Sequence, residues 1–234
     1  MVNFKKKIKI FVDGANIEQI KSFEKIVDGY TFNPTLFKKL GASNYIEFAK
    51  DILIHTNNKP VSIEVFADDE ENCLKQARIL KNLAENVVVK IPITYTDGQS
   101  TENLIKKLSE EKINLNITAI FTLEQIKKIM KTVKNTDHIL SIFAGRIYDI
   151  GHDAQEAMQK INKYVHNNSN CITLWASCRM VYDLISAQKV NTDIITMPPE
   201  FIQKINNFDK TLDEYSLETV KGFYNDAFNS GFKI

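Results

Sequence analysis

Short apolar runs rich in β-branched residues alternate with amphipathic stretches along the chain. The amphipathic stretches space their apolar residues by three or four positions, as in Leu104, Ile105 and Leu108, which is typical of helices with one buried face. The apolar runs predict eight strands, over residues 8–13, 29–32, 61–66, 87–91, 115–119, 139–143, 171–176 and 193–197. Strands that alternate with helices indicate parallel βαβ units.

Eight such units in 234 residues predict an α/β fold with a single (β/α)8 TIM barrel, whose usual size is about 250 residues. A doubly wound open sheet is the alternative, but the chain contains neither G-x-G-x-x-G nor G-x-x-x-x-G-K-[ST]. No linker or low-complexity segment divides the sequence, so we expect one domain over residues 1–234. Within it, residues 207–234 form a predicted C-terminal helical extension that packs on its own barrel or on a neighbouring subunit.

Composition narrows the class of partner. The net charge of +1 provides no long-range field that would favour nucleic acid or an anionic membrane. No apolar run is long enough to span a bilayer, and we expect a cytoplasmic protein. The three cysteines show no CxxC spacing, which predicts reduced and mostly buried thiols.

Lys90 ends the apolar run Val87–Val89, which predicts a strand buried on both faces. A lysine at this position either extends to water or lies in a desolvated site. Desolvation disfavours the ammonium form and frees the nitrogen lone pair for attack on a carbonyl carbon. Lys90 alone favours the first interpretation, whereas the polar residues at the other strand ends favour the second.

Seven of the eight predicted strands carry polar residues at their carboxyl ends, where barrel enzymes place their active sites. In strand order these residues are Asp13, Asn33, Glu64, Lys90, Asn116 with Thr118, Ser141 with Arg146, and Ser177 with Arg179. Each has a structural alternative, such as a helix cap or a turn. A barrel interior is normally apolar, so a polar set at one end of the barrel predicts a catalytic site.

The set predicts aldol chemistry centred on an amine. Lys90 would form an iminium with a ketone, which is an electron sink for breaking the neighbouring C–C bond. Asp13 would take the proton from the hydroxyl at that bond, and Glu64 with Thr118 would assist the loss and return of water. The sugar hydroxyls would be held by Asn33, Asn116 and Ser141.

Arginine is rare, at three of the 30 basic residues. Arg146 and Arg179 follow the predicted sixth and seventh strands, and a guanidinium binds phosphate bidentately in a way that lysine does not. Together with Ser177 they predict a phosphate site at the far end of the sugar. We expect the third arginine, Arg78, to lie on a helix surface.

Five segments resemble the transaldolase family: VDGYTFNPTL at 27–36, VVKIP at 88–92, NITAIFT at 116–122, SIFAGRI at 141–147 and ASCR at 176–179. The resemblance covers nearly the whole chain. It implies a Schiff-base mechanism without metal or cofactor, in which a dihydroxyacetone unit passes from fructose 6-phosphate or sedoheptulose 7-phosphate to an aldose phosphate. It also implies that Phe143 lines the substrate pocket.

Related fructose-6-phosphate aldolases release dihydroxyacetone and are the main alternative function. That branch typically has Gln at the position of Glu64, Tyr at that of Phe143 and no arginine at that of Arg179, and all three residues here are similar to transaldolase. A barrel that only binds sugar phosphates is a further alternative, although the catalytic set is complete. Deoxyribose-phosphate aldolase also uses a barrel lysine, but it fits the two arginines and the Asn-Pro segment less well.

Phe32 stands where the family has threonine, beside Asn33, and we expect it to narrow the donor end of the pocket. A transaldolase-like enzyme of carbohydrate biosynthesis that uses a different sugar is therefore another alternative. Small transaldolases tend to form ring-based decamers that exchange the C-terminal helix. The resemblance therefore implies a homo-oligomer, for which a decamer is the assembly known in the family.

Overall fold

In the computed structural model, which describes residues 8–233, eight parallel strands form a closed barrel in chain order. The strands are β1 Lys9–Asp13, β2 Gly29–Thr31, β3 Val61–Glu64, β4 Val87–Pro92, β5 Leu115–Ile120, β6 Ile139–Ile142, β7 Ile172–Trp175 and β8 Ile194–Met197. Pairing of β1 with β8 closes the barrel, which confirms the predicted fold and excludes the open sheet. Residues 1–7 and 234 of the predicted domain lie outside the described residues.

Helices surround the barrel and follow its strands. They are α1 Ile17–Phe23, α2 Pro34–Lys39, α3 Tyr45–Ile54, α4 Glu70–Lys81, α5 Glu102–Glu110, α6 Leu123–Val133, α7 Ala144–Asp149, α8 Ala154–Asn168, α9 Asp183–Lys189, α10 Pro199–Lys204 and α11 Leu212–Ser230, with a 3-10 turn at Ile205–Asn207. Side-chain caps begin several of them: Thr122, for example, accepts a hydrogen bond from the backbone N–H of Gln125 in a capping box. Where such a cap is present, it fixes the residue at which the preceding loop ends and the helix begins.

Strand β4 shows how the barrel separates its two faces. Val87 and Val89 are fully buried in the core between strands and helices, while Val88 belongs to a small apolar cluster inside the barrel. Side chains alternate along a strand, so Lys90 faces inward above Val88. The interior is thus apolar near the amino ends of the strands and polar near their carboxyl ends.

A bulge in β5 breaks this regular alternation. The β5–β6 register shifts between Ile117 and Ile120, and Ala119 adopts a left-handed φ of 57°. Such a bulge bends a strand and redirects a side chain. The residue before the bulge is Thr118, one of the predicted catalytic residues.

The cysteines and α11 match two predictions. Cys73, Cys171 and Cys178 are buried and unpaired. The predicted C-terminal helix is present as α11, and its apolar side chains are exposed rather than packed on the barrel. Within residues 8–233, no helix combines the length and the apolar character needed to cross a membrane.

Candidate active site

A cavity of about 280 Å³ opens at the carboxyl ends of the strands. It is lined by Asp13, Thr31, Asn33, Thr35, Leu36, Lys39, Lys90, Asn116, Thr118, Ser141, Phe143, Arg146, Ala176, Ser177, Arg179 and Thr196. Ten of the eleven predicted site residues are in this set, and the exception is Glu64. The strand-end residues therefore converge on one cavity, as the barrel fold requires.

Lys90 is 5% exposed, and its Nζ lies 3.0 Å from Oε2 of Glu64. The two residues are direct register partners on β4 and β3. Glu64 lines a second cavity of about 240 Å³ beside the β3 and β4 loops. Glu64 thus reaches the amine from the side of the barrel and not from the substrate cavity.

Asp13 lies in the same electrostatic cluster. Burial raises the pKa of its carboxyl group, while the Lys90 charge and a hydrogen bond from Thr31 lower that pKa, and the Glu64 charge raises it. The Thr31 hydroxyl donates to Oδ1 of Asp13 at 2.7 Å. A partly buried carboxyl group in the electrostatic field of a buried amine is suited to moving a proton near that amine.

Thr196 extends this contact. Its hydroxyl lies 2.6 Å from that of Thr31, and Thr31 already uses its single proton on Asp13, so Thr196 must be the donor between them. Sequence reasoning missed both threonines. Thr196 is in β8, the one strand for which no polar residue was predicted, and its position two residues after Ile194 on the inner face was the available signal.

Asn116 is held between two strands by hydrogen bonds to serines. Ser141 Oγ donates to its Oδ1 at 2.6 Å, and its Nδ2 donates to Ser62 Oγ at 3.0 Å. The amide orientation is therefore fixed before any substrate binds. By contrast, the hydroxyl of Thr118 is buried with no hydrogen-bond partner within the described part of the chain, which leaves it free for a water or a substrate.

Asn33 both caps a helix and lines the cavity. Its Oδ1 accepts a hydrogen bond from the backbone N–H of Leu36 at 2.9 Å and so caps α2. The amide also lines the cavity, where its NH₂ group can donate to a hydroxyl. The Asn33 side chain can therefore cap α2 through its oxygen and still donate hydrogen bonds to a ligand through its nitrogen.

The expectation that Phe32 narrows the pocket is wrong. Phe32 is fully buried in the core between strands and helices, and its ring centroid lies 5.2 Å from that of Phe37. Because side chains alternate along the chain, Thr31 and Asn33 line the cavity while Phe32 points away from it. The phenylalanine fills outer core volume and leaves the donor end open.

The two predicted phosphate ligands differ in how they are held. Arg179 forms a bidentate ion pair with Asp149, and its Nη1 donates to the carbonyl oxygen and hydroxyl of Ser177 at 3.0 and 3.1 Å. The Arg179 hydrogen bonds lower the pKa of Asp149. Arg146 instead lies over the Phe143 ring, 5.2 Å from its centroid.

The turn that carries Ser177 and Arg179 is tightly constrained. Ser177 has a left-handed φ of 64°, and the buried carboxylate of Asp183 accepts the backbone N–H of Arg179 at 2.6 Å. Burial raises the pKa of Asp183, and the backbone hydrogen bonds oppose that shift. Arg78 lies on the surface of α4, as predicted, and pairs with Glu111 at 2.6 Å.

Sequence comparisons identify relatives over nearly the whole chain. The family model described as "Transaldolase/Fructose-6-phosphate aldolase" matches residues 10–234. A curated relative from Methanococcus maripaludis, named "Probable transaldolase", is 39% identical over 206 residues, covering 86% of this chain and 90% of the relative. A "Probable transaldolase" from Coprothermobacter proteolyticus is 36% identical over 215 residues, covering 90% of this chain and 94% of the relative.

Solved structures share the barrel at low sequence identity. Thiamine phosphate pyrophosphorylase from Pyrococcus furiosus matches with a TM-score of 0.54 and 12% identity over 87% of this chain and 97% of that chain. A mandelate oxidase matches with a TM-score of 0.56 and 11% identity over 83% of this chain and 64% of that chain. At these identities the likeness shows the fold alone.

Proposed function

The chain belongs to the transaldolase/fructose-6-phosphate aldolase family, and we propose that it transfers a dihydroxyacetone unit between sugar phosphates through a Schiff base on Lys90. The donor would be fructose 6-phosphate or sedoheptulose 7-phosphate, and the acceptor an aldose phosphate. The observation that carries this proposal is the buried amine of Lys90, which lines the cavity and lies 3.0 Å from the Glu64 carboxylate.

Schiff-base formation begins at the ketone carbon of the donor. The Lys90 amine adds to the carbonyl and forms a carbinolamine, and Glu64 accepts the proton that the nitrogen releases. Glu64 then returns a proton through a bound water to the carbinolamine hydroxyl, which leaves as water, and an iminium remains. The buried Thr118 hydroxyl would hold the relaying water, because it has no other hydrogen-bond partner among residues 8–233.

Cleavage uses the other carboxylate. Asp13 takes the proton from the C4 hydroxyl, the C3–C4 bond breaks, and its electron pair moves toward the iminium nitrogen to leave an enamine. The aldose phosphate departs, an acceptor aldehyde enters, and the enamine carbon attacks its carbonyl carbon while Asp13 gives the proton back. Addition of water to the new iminium then releases the product ketose and restores the Lys90 amine.

Transfer is favoured over release of dihydroxyacetone by three residues that follow the transaldolase pattern, namely Glu64, Phe143 and Arg179. Phe143 lines the cavity with an apolar ring and offers no hydroxyl to a water near the enamine. The enamine is then protected until an acceptor arrives. The alternative with a different donor sugar loses its main support, because Phe32 lies outside the cavity.

The proposal is tested by borohydride reduction in the presence of fructose 6-phosphate, followed by intact-protein mass measurement and peptide mapping. We expect a reduced dihydroxyacetone adduct on Lys90, no adduct in Lys90→Met, and a normal adduct in a control variant at the exposed Lys21. An adduct on another lysine, or none from folded protein, would reject the proposal. Turnover that requires an acceptor aldehyde identifies a transferase, whereas free dihydroxyacetone without acceptor identifies a lyase.

We further propose that the protein is a homo-oligomer that acts in the cytoplasm. The apolar side chains of α11, such as Leu212, Phe223 and Phe228, are between 52% and 90% exposed, an apolar surface that a second copy would cover. Three unpaired thiols suit a reducing compartment. Light scattering measures the assembly directly: we expect an oligomer for the wild type and a smaller species for Phe223→Glu, and a monomeric wild type would reject the assembly.

A further inference from the structure

The hydrogen-bond ladder between β2 and β3 stops one step before the carboxyl end of β3. The N–H groups of Tyr30 and Phe32 donate to the carbonyl oxygens of Pro60 and Ser62 at 2.9 and 2.8 Å. Donors and acceptors of a parallel pair advance together by two residues. The next donor would therefore be the N–H of residue 34, and its acceptor the carbonyl oxygen of Glu64.

Residue 34 is a proline, which has no N–H to donate. The chain is still extended at Asn33, with φ −140° and ψ 169°, so Pro34 takes the position of that donor. The hydroxyl of Tyr45, the first residue of α3, instead donates to the Glu64 carbonyl oxygen at 2.7 Å. A side chain thus supplies the hydrogen bond that β2 cannot make.

Tyr45 is itself held in place by two aromatic neighbours. Its ring centroid lies 4.7 Å from that of Phe37 and 5.1 Å from that of Phe66. Burial raises the pKa of the Tyr45 hydroxyl and the Glu64 charge raises it further, while the hydrogen bond to the backbone lowers it. A free tyrosine already has a pKa of about 10, so Tyr45 remains a donor at neutral pH.

The backbone that follows Glu64 is fixed on its other side as well. The N–H group of Val65 donates to the carbonyl oxygen of Lys90 at 3.0 Å, and the next two N–H groups donate to Oε1 of Gln76 at 2.9 and 3.1 Å. Tyr45 holds this segment toward β2, where the proline leaves a gap in the ladder. The direction of the Glu64 side chain therefore depends on both sides being held.

We propose that the Tyr45 hydroxyl positions the Glu64 carboxylate beside the Lys90 amine, by replacing the sheet hydrogen bond that Pro34 removes. The kinetic consequence of this inference rests on the proposed function, in which Glu64 exchanges a proton with the amine. Tyr45 is a positioning residue, because it does not line the substrate cavity and acts only through the β3 backbone. A displacement of about 1 Å at a proton-transfer contact is enough to slow a reaction strongly.

The test compares Tyr45→Phe, which removes the hydroxyl and keeps the ring, with Tyr164→Phe, the same change at a half-buried tyrosine of α8 outside the cavity. Crystal structures measure the distance from Lys90 Nζ to Glu64 Oε2, and timed borohydride quenching with fructose 6-phosphate measures the rate of Schiff-base formation. We expect Tyr45→Phe to lengthen the 3.0 Å contact and to slow Schiff-base formation roughly tenfold. Affinity for glucitol 6-phosphate, a polyol phosphate without the ketone, should stay near wild type. Tyr164→Phe should match the wild type in all three measurements.

A second substitution tests the origin of the effect. The N–H group of the first residue of a helix has no partner inside that helix, so Pro34→Ala adds a free donor opposite the Glu64 carbonyl. We expect Pro34→Ala combined with Tyr45→Phe to recover the short contact and much of the trapping rate. No recovery in the double variant would overturn the inference, since Tyr45 would not be replacing a sheet hydrogen bond.

The outcomes separate the inference from the proposed function. If the wild type forms the Lys90 adduct and Tyr45→Phe keeps both the distance and the rate, the assignment of Tyr45 is wrong and the proposed function stands. A slower rate at an unchanged distance would also overturn the inference. If the wild type forms no adduct, the proposed function fails, and the crystal structures still decide whether Tyr45 sets the contact between Lys90 and Glu64.

Discussion

The amine nitrogen of Lys90 lies 3.0 Å from Oε2 of Glu64, and the two residues are register partners on adjacent strands. The pairing is set by the backbone of β3 and β4 and does not depend on a flexible loop. An amine must be unprotonated when it attacks a carbonyl, and a carboxylate at hydrogen-bond distance is the immediate acceptor for its proton. The strand register therefore supplies both the nucleophile and its base.

Glu64→Gln tests this relationship. Glutamine keeps the length and hydrogen-bonding capacity of the side chain but does not accept a proton, so we expect Schiff-base formation to slow by about 100-fold. Rapid mixing with fructose 6-phosphate followed by timed borohydride quenching measures that step alone. The same substitution at the exposed Glu47 is the control. An unchanged trapping rate in Glu64→Gln would remove Glu64 from the proton transfer.

Much of this arrangement could be predicted, because strand ends in a parallel barrel converge by necessity. A lysine after three valines and polar residues after neighbouring apolar runs are local patterns, and these identified nine residues of the cavity, while the family resemblance added Phe143. The direction of Phe32 was misjudged because its neighbours Thr31 and Asn33 both face inward. Successive side chains of an extended segment point to opposite faces, and this rule assigns Phe32 to the core between strands and helices, as it assigns Glu64 to the inner face.

Other parts of the site depend on contacts between distant residues. Asp149 and Arg179 are 30 positions apart and meet only because the turn after β7 lies against α7. Thr196 acts on Asp13 through Thr31, and Thr31 and Thr196 are 165 positions apart in the chain. No local pattern encodes such pairs.

The contact between Thr31 and Asp13 predicts a shift in pH dependence. Burial raises the pKa of Asp13 and the Thr31 hydrogen bond lowers it, so Thr31→Val should raise that pKa further. A base with a higher pKa stays protonated to higher pH, so the acid limb of kcat/KM should move to higher pH by about one unit. Thr31→Ser, which keeps the hydroxyl, should retain the wild-type profile.

Thr196→Val provides a graded version of the same experiment. Thr196 contacts Asp13 only through the Thr31 hydroxyl, so its removal should move the acid limb in the same direction by a smaller amount. A shift in Thr196→Val that exceeds the shift in Thr31→Val would contradict this order. If the pH profiles of the wild type, Thr31→Val and Thr196→Val coincide, Asp13 is not the group that sets the acid limb.

His138 predicts how stability depends on pH. Its Nδ1 accepts the backbone N–H of Leu115, and its Nε2 lies 2.9 Å from Ser109 Oγ, which gives its own proton to the Ile105 carbonyl. Both contacts fit a neutral ring that carries its proton on Nε2. Burial lowers the pKa of His138 from 6.5 to about 4, and the Asp137 charge opposes that shift.

Because the folded pKa of His138 is the lower one, the unfolded chain takes up the proton first as the pH falls. The free energy of unfolding should therefore decrease between pH 6.5 and 4, with His138 contributing on the order of 3 kcal/mol over that window. Denaturant titrations at pH 7 and pH 4.5 measure the loss. His138→Gln should show a smaller loss than the wild type, while a variant at the exposed His152 should show the same loss. Equal losses in the His138 variant would contradict the prediction.

Gly145 joins the two halves of the phosphate site, and its missing side chain makes the junction possible. A Cβ atom at this position would lie 1.6 Å from the carbonyl oxygen of Ser177, a distance that only movement of the backbone can relieve. The same carbonyl accepts a hydrogen bond from Arg179. Gly145→Ala should therefore displace the turn after β7 and reduce the free energy of unfolding by about 3 kcal/mol.

The displacement should also act on the substrate. Because the Ser177 carbonyl helps to orient Arg179, Gly145→Ala should raise the KM for fructose 6-phosphate more than it lowers the rate of Lys90 trapping with dihydroxyacetone. Gly222→Ala is the matched control, since a Cβ at that position in α11 meets nothing within 4 Å and alanine is the better helix former. Thermal unfolding and steady-state kinetics on the two variants separate the effects. If Gly145→Ala is as stable as Gly222→Ala, the close approach of α7 to the turn does not constrain the site.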